Sequence, residues 1–539
     1  MNNRPNVLIF TTQSPPDDIL DSLSVPIGLY NLQYVLKSHG ILCDVIDQQL
    51  NIESEYMEKV EKGFYNVIGI SVTHWRMLED LTFLHRLKDI YRKKNHACLF
   101  IAGGLQATIN YAQWLTYGFD LACLGFSEMS LLDICSRMTH SSAPIHKLFN
   151  DCKGVAFLDP DGRVVYNPAN ALTNEAFEQL MYHNVINMEL PYKEYWDFLK
   201  KRATGLLTAN SRSYIIENGR LLTSSKCLGR CGFCSCPDFL RSAQGSVVKP
   251  MSLSAEQVNK LIVHYVTKYG ARSFSFNDED FLLGNKFGIE RAIAICNLIV
   301  DSKRKNKIPD NVRFSCQTRP NCFLVKEVDG KTGVNHRLMQ ALYCAGFHNV
   351  TLGVETFSDR LLHSPSVNKG VSSKKCHAVL KGLMENKLFP TINLILGIPE
   401  STIEELLETI WQVMEYAEKP CQISHSINMR SFPGAPIYNS NDYPTHDAVF
   451  VNPVTNKAIK IKTFFKLHNP DMEMLFNRLD DKVNKEMKKY KAYYGLGKAV
   501  LLPRIIISLT TFLAIAKMTD NSKLVDNVTS KMQSFSKDI

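Results

Sequence analysis

Short β-branched and apolar runs alternate with helical stretches twice along this 539-residue chain, and this double alternation constrains its fold more than any other feature. The first series predicts strands over 7–11, 43–47, 67–72, 98–102 and 121–124, with helices over 27–38, 77–93 and 129–138. Five strands in β/α order predict a Rossmann-like, doubly wound domain over 1–145, which takes ligands beyond the carboxyl ends of its strands. The second series, over 213–438, predicts strands at 273–276, 312–316, 349–354, 391–396 and 424–430, with helices including 254–268, 289–301, 337–345 and 403–417. Roughly six such units make a full or partial β/α barrel with its active site at the C-terminal mouth. Residues 146–212 read as a connector holding a β-hairpin around Asp159-Pro160-Asp161-Gly162 and aromatics that pack between domains. Residues 439–539 read as a mainly helical region.

A hydrophobic content of 45% supplies two or three folded cores and excludes a mostly disordered chain. The net charge of +9 is modest for this length; it slightly favours an acidic partner or substrate but does not by itself indicate nucleic-acid binding, and no nucleic-acid partner is expected. Residues 1–5 are polar and the apolar run 7–10 is too short for a signal core, so a cytoplasmic protein is expected. Thiols stay reduced there, so the 15 cysteines are not a disulfide framework and most should be small buried hydrophobes. The longest apolar run, 500–516, is broken by Pro503 and Arg504 and falls short of the ~20 residues that span a bilayer. A buried helix is expected there rather than a peripheral membrane contact.

Cys227, Cys231 and Cys234 stand apart from the other cysteines in spacing: three thiols within eight residues, just ahead of the second β/α series. Zinc usually takes four ligands, often from two paired knuckles, and no second pair stands nearby. A four-iron cluster usually takes four cysteines, so three leave one iron open. The segment resembles the radical S-adenosylmethionine (SAM) superfamily, whose motif is Cys-x3-Cys-x-aromatic-Cys, with Phe233 in the aromatic place. The resemblance implies a 4Fe–4S cluster whose open iron is chelated by SAM, which is cleaved to a 5′-deoxyadenosyl radical. Cys236 is expected to be a buried or idle thiol. In the same family likeness, Asp278 and Glu279 in Phe276-Asn277-Asp278-Glu279-Asp280-Phe281 occupy the place of an acidic segment that accepts hydrogen bonds from SAM. Arg319 after the third strand, Glu355 in Gly353-Val354-Glu355 and Gly397 in Gly397-Ile398-Pro399-Glu400-Ser401-Thr402 match further SAM-binding strand ends, and Phe432-Pro433-Gly434-Ala435-Pro436 matches the last turn.

The first domain resembles the cobalamin-binding domain that precedes the radical domain in one large subgroup. The likeness rests on Val25-Pro26-Ile27-Gly28, Gly69-Ile70-Ser71-Val72-Thr73, Ala102-Gly103-Gly104 through Thr108, and Leu124-Gly125-Phe126-Ser127-Glu128. Gly103, Gly104 and Gly125 would let backbone approach a flat macrocycle and its nucleotide tail, while Ser71, Thr73 and Thr108 offer hydroxyls. Glu128 completes a loop that commonly reads Gly-Glu-Gly-Glu in the subgroup. The Asp-x-His-x-x-Gly motif that supplies a lower axial histidine is absent, and His74 is expected to be a structural donor.

These resemblances imply a cobalamin-dependent methyltransferase acting on an unactivated carbon of a small-molecule substrate, such as a biosynthetic intermediate, with a flavodoxin- or ferredoxin-type electron donor. The same cofactors also serve non-methylating rearrangement or cyclisation, which is the alternative reading. An RNA methylthiotransferase ranks below these because Cys43, Cys98, Cys123, Cys135 and Cys152 are dispersed, and a cobalamin or iron–sulfur sensor would not need the strand-end SAM motifs. Lys482, Lys485, Lys488, Lys489 and Lys491 read as a solvated helix face, and Tyr490, Tyr493 and Tyr494 as packing residues.

Overall fold

The computed structural model describes residues 4–12, 24–50, 53–140, 143–202, 216–225, 227–246, 249–326, 332–418, 421–493 and 504–536. The first series folds into strands β1 (Val7–Thr11), β2 (Cys43–Asp47), β3 (Val67–Ser71), β4 (Leu99–Gly103) and β5 (Leu121–Cys123). They pair in parallel in the order β2-β1-β3-β4-β5, with Val7 opposite both Cys43 and Val67. Alternate residues feed two cores: Leu8, Phe10, Ile68 and Ile70 pack with Leu81 and Leu84 on one face, and Val7, Ile9, Val67 and Ile101 pack with Leu36 and Ile134 on the other. Burial on both faces is what a parallel sheet requires.

The expected hairpin forms as β6 (Val155–Leu158) and β7 (Val164–Asn167), but it belongs to this sheet rather than to a connector. Its first strand pairs antiparallel with β5, Cys123 opposite Val155, and so covers what would be an open edge. The helix Tyr192–Arg202 behind it does bridge the domains. Tyr195 donates to Asp47 Oδ2 at 2.5 Å, while Tyr192 packs on Tyr265 of the barrel.

The second sheet contains β8 (Asn218–Leu221), β9 (Ser273–Phe276), β10 (Arg313–Thr318), β11 (Phe347–Glu355), β12 (Phe389–Gly397) and β13 (Gln422–Asn428), all parallel and in sequence order. The terminal strands β8 and β13 are not paired with each other, so this is an open, partial barrel. β8 carries Asn218, Gly219 and Arg220, and its polar sequence gave no strand signal. Helix starts were more legible. Ser254 and Thr402 each form a capping box, with Gln257 and Glu405.

The C-terminal region departs from the helical expectation over 439–539, because β14 (Thr445–Val451) and β15 (Ala458–Phe465) form an antiparallel hairpin. Its alternating residues dock on the first domain, where Ile459 enters the core with Trp114 and Phe119 and Asn452 Nδ2 donates to Tyr117 O at 3.0 Å. Helices Pro470–Tyr493, Arg504–Met518 and Ser522–Ser536 follow. The apolar run is a buried helix as expected: Ile505, Leu509 and Phe512 join the barrel core and Ser508 donates to Ile423 O of β13 at 2.9 Å. Residues 500–503 of that run lie outside the described residues. No helix among the described residues is long and apolar enough to cross a membrane. Lys482 and Lys485 are exposed; the side chains of Lys488, Lys489, Tyr490, Lys491 and Tyr493, and all of Tyr494, lie outside the described residues.

Candidate active site

The cysteine loop follows β8 and sits at the carboxyl end of the open barrel. Cys231 is buried and Cys227 and Cys234 are half-buried. Gly232 is required at its place, since a Cβ there would stand 2.0 Å from Pro365 O and 2.7 Å from Ser366 O. Burial pushes the Cys227 thiol up to about 11, with the Asp280 charge adding to it. Burial also raises Cys231, and the Lys369 ammonium opposes that rise. Cys236 is not remote: its thiol hydrogen-bonds to the Cys234 sulfur, and that contact holds Cys234 down at about 7.

Two buried ion pairs flank the loop. Arg319 Nε donates to Asp280 Oδ2 at 2.9 Å, and the Arg319 guanidinium lies against Gly229 between the first two cysteines. Lys369 Nζ stands 2.8 Å from Glu355 Oε1 and 5.9 Å from the centre of the Phe233 ring. Phe233 packs on an apolar cluster that includes Ile395, Ile398 and Ile437. Gly353 leaves room for the Glu355–Lys369 pair, because a Cβ there would come within 2.6 Å of Glu355 Oε1.

Several expected SAM contacts are placed differently. Asp278 is fully buried and fully committed: it accepts from Thr223 N at 2.9 Å, Thr223 Oγ1 at 3.0 Å and Ser224 Oγ at 2.5 Å, with Arg291 nearby. It therefore pins the end of β8 and does not face the loop. Glu279 is half-buried and close enough for its charge to raise Cys236. Asp280, from the same segment, is the carboxylate that reaches Arg319; the sequence did not favour it over its two acidic neighbours. Gly397 is buried against β13 and the Phe476 ring, where a Cβ would meet Ile427 O at 2.8 Å, so it serves packing at the strand end. Lys369 lies in a loop with no motif and could not be found from sequence.

In the first domain, Ser71, Gly103, Gly104, Gly125 and Glu128 line one cavity of about 210 Å³ with Gly28, Leu29, Ile101 and Phe239. It opens beside the switch between β1 and β3, where such sheets bind ligands. Thr108 is not in its wall. Its hydroxyl donates to Gly104 O and accepts from Gly125 N, both at 2.9 Å, so it ties two glycine loops together. Thr73 is also outside the wall: its N–H donates to Asp80 Oδ2 at 2.9 Å and its hydroxyl is buried without a partner. Glu128 is fully buried, its Oε2 has no partner, and burial raises its carboxyl to about 7. His74 is the structural donor expected, with Nε2 2.8 Å from Lys462 O of the hairpin.

Cys43, Cys123, Cys135 and Cys152 come together in one apolar core of this domain, and burial raises Cys123 and Cys135 to about 12. They are neutral packing thiols. Among the described residues no His, Cys, Asp and Glu side chains converge in threes to hold a single metal ion. A four-iron cluster takes one cysteine per iron and needs no such convergence, so the Cys227–Cys231–Cys234 loop fits a cluster better than a mononuclear site.

An open parallel β/α barrel with a three-cysteine loop at its mouth, carried behind a doubly wound domain with a cavity at its switch point, defines a radical SAM architecture. Residues 221–411 match the radical SAM superfamily and constitute a radical SAM domain. No curated protein matches the chain in sequence. Among solved structures it is similar to the radical S-adenosylmethionine methyltransferase TsrM from Kitasatospora setae, with cobalamin and a 4Fe–4S cluster bound (15% identity, TM-score 0.58, 80% of this chain and 74% of that one). It is also similar to the cobalamin-dependent S-adenosylmethionine radical enzyme OxsB with aqua-cobalamin and S-adenosylmethionine bound (14% identity, TM-score 0.65, 99% of this chain and 76% of that one). At these identities the shared property is the fold, which is that of cobalamin-dependent radical SAM enzymes.

Proposed function

We propose that this chain is a cobalamin-dependent radical SAM methyltransferase that methylates an unactivated carbon of a small molecule in the cytoplasm, drawing electrons from a flavodoxin- or ferredoxin-type donor. The observation that carries this reading is that both candidate sites share one wall. The helix Phe239–Gln244 follows the cysteine loop directly, Phe239 lines the cavity of the first domain, and Ala243 sits where a Cβ on Gly125 would come within 2.9 Å. Tyr166 of β7 holds the same helix by donating to Ser242 O at 2.8 Å.

Cys227, Cys231 and Cys234 would hold three irons, with Glu279, Arg319 and Glu355 at the approach to the fourth. Gly103, Gly104 and Gly125 would admit the cobalamin tail to the apolar cavity, with Ser71 and Glu128 as its polar groups. When bound, the cluster and SAM supply a 5′-deoxyadenosyl radical and cobalamin supplies a transferable methyl group. The chain itself orients the substrate between the two sites and excludes water. His74 is committed to Lys462 O, which agrees with the missing axial-histidine motif.

Anaerobic reconstitution with iron, sulfide, cobalamin and SAM, together with a low-potential reductant in place of the electron donor and candidate small-molecule substrates, tests the reading. Formation of S-adenosylhomocysteine and a methylated product supports it. Formation of 5′-deoxyadenosine without S-adenosylhomocysteine replaces methyl transfer by rearrangement or cyclisation, and cofactor binding without SAM cleavage makes the chain a sensor.

A further inference from the structure

The helices Lys286–Arg304, His336–Ala345 and Ser373–Glu385 follow β9, β10 and β11, so their first turns stand at the carboxyl end of the sheet, on the side of the cysteine loop. A helix N-terminus carries partial positive charge and favours acidic side chains. The helices Ala255–Tyr269 and Ile403–Met414 obey this, with Glu256 in one first turn and Glu404 and Glu405 in the other. The three rim helices have no acidic residue there; their first turns hold Lys286, Arg337, Lys374 and Lys375 instead. These cations oppose the helix dipoles, so helix stability does not account for them.

The cysteine loop reaches solvent in the same place. Leu228 and Arg230 are exposed on either side of buried Gly229. Gly229 lies against one side of the Arg319 guanidinium, where a Cβ would stand 3.5 Å from Nη1, and a Cβ on Gly284 would collide with Nη2. Gly284 opens the segment that carries exposed Lys286 and Phe287. Asn368 Nδ2 donates to Arg230 O at 2.8 Å, which ties the loop ahead of Lys374 and Lys375 to the same spot. The carboxylates here are engaged: Asp280 with Arg319, Glu290 with Arg337, and Asp359 with the Ser373 N–H. Among the described residues Arg230, Lys286, Lys374 and Lys375 have no ion pair. A basic rim thus surrounds two large exposed apolar side chains, Leu228 and Phe287, beside the three candidate cluster ligands.

We propose that this rim docks an acidic one-electron carrier protein of the flavodoxin type. The inference rests on the radical SAM reading, which puts a cluster on Cys227, Cys231 and Cys234 and requires an electron from outside. Electron transfer falls steeply with distance, so a carrier gains by meeting the loop where it is exposed. Redox encounters are small interfaces, below ~1,200 Å². Apolar contact at the centre with charge at the edge suits them, and opposite charge speeds the encounter. One electron leaves the anionic flavin hydroquinone, which becomes the neutral semiquinone without proton transfer, and takes the cluster from its 2+ to its 1+ state.

The test follows cluster reduction by stopped flow in the reconstituted full chain, without oxygen. The reductants are flavodoxin hydroquinone and reduced methyl viologen, a small cation that needs no docking surface. Lys286→Glu/Lys374→Glu/Lys375→Glu is expected to slow the flavodoxin reaction about tenfold and leave the viologen reaction no slower than in the parent. Raising the ionic strength from about 0.01 to 0.15 M, which shortens the screening length from ~30 to ~8 Å, should slow the flavodoxin reaction of the parent and not that of the variant. The new carboxylates complement the helix dipoles, so the variant's unfolding temperature should equal or exceed the parent's, and lost folding cannot mimic the result. Phe287→Ser changes no charge and should slow the flavodoxin reaction alone. A flavodoxin rate unchanged in both variants, a parent rate insensitive to salt, or equal slowing with both reductants at full iron content overturns the proposal. Failure of the parent to cleave SAM with viologen as reductant removes the radical reading instead.

Discussion

Lys369 Nζ lies 2.8 Å from Glu355 Oε1, and the two side chains are only 5% and 10% exposed. Glu355 makes this contact from a left-handed backbone, φ 69°, at the irregularity where β11 loses register with β12. A non-glycine residue held there stores strain, and such positions cluster at functional sites. The pair joins the strand end to the loop that also packs on the cysteines.

Removing one partner of a buried pair leaves an uncompensated charge, which costs about 3–5 kcal/mol. Lys369→Met should therefore lower the unfolding temperature more than the double variant Lys369→Met/Glu355→Gln. Thermal denaturation followed by circular dichroism checks the order; equal midpoints would mean that the pair contributes no coupling.

Cys231→Ala should abolish SAM cleavage and bleach the iron–sulfur absorption of reconstituted protein. Cys236→Ala should retain both, because Cys236 lies outside the Cys-x3-Cys-x2-Cys spacing and its thiol is engaged with the Cys234 sulfur. Iron and sulfide analysis of the two variants separates a ligand from a neighbour, and matching losses would make Cys236 a ligand.

Gly104 has φ 92°, and a Cβ there would stand 3.2 Å from Ser71 Oγ at the rim of the cavity. Gly104→Val should therefore lower cobalamin retention on gel filtration while iron content stays at the parent level. Undiminished retention would count against the cavity as the cobalamin site.

Burial raises both Glu128 and Asp80 to about 7. The folded state thus holds these protons more tightly than the unfolded state, where carboxyls titrate near ~4. The stability they contribute is complete below that value and is lost as the pH rises through about 7. The urea midpoint of the unloaded chain should fall across this window, and Glu128→Gln/Asp80→Asn should flatten the fall. A parent and variant with parallel pH profiles would sink the assignment.

The acidic segment after β9 shows where local reading stops. The sequence placed three carboxyls in a row, but only packing gave Asp278 to Thr223 and Ser224, Asp280 to Arg319, and left Glu279 half-exposed beside Cys236. Thr108 is similar: its hydroxyl was expected at a ligand and instead ties Gly104 to Gly125. The hairpin β14–β15 escaped notice because Val449 and Val451 are exposed, while Phe450, Ile459 and Ile461 pack against a domain more than three hundred residues earlier.

By itself the sequence determined what depends on near neighbours: the strand and helix periods, the helix starts near Ser254 and Thr402, and three thiols spaced for one loop. Those signals are local because backbone geometry and ligand spacing are set within a few residues. The tertiary structure alone decided which charges pair and which hydroxyl faces a cavity. Such choices depend on burial and on partners distant in sequence, as Lys369 with Glu355 and Phe239 with Gly125 illustrate, and no local pattern encodes them.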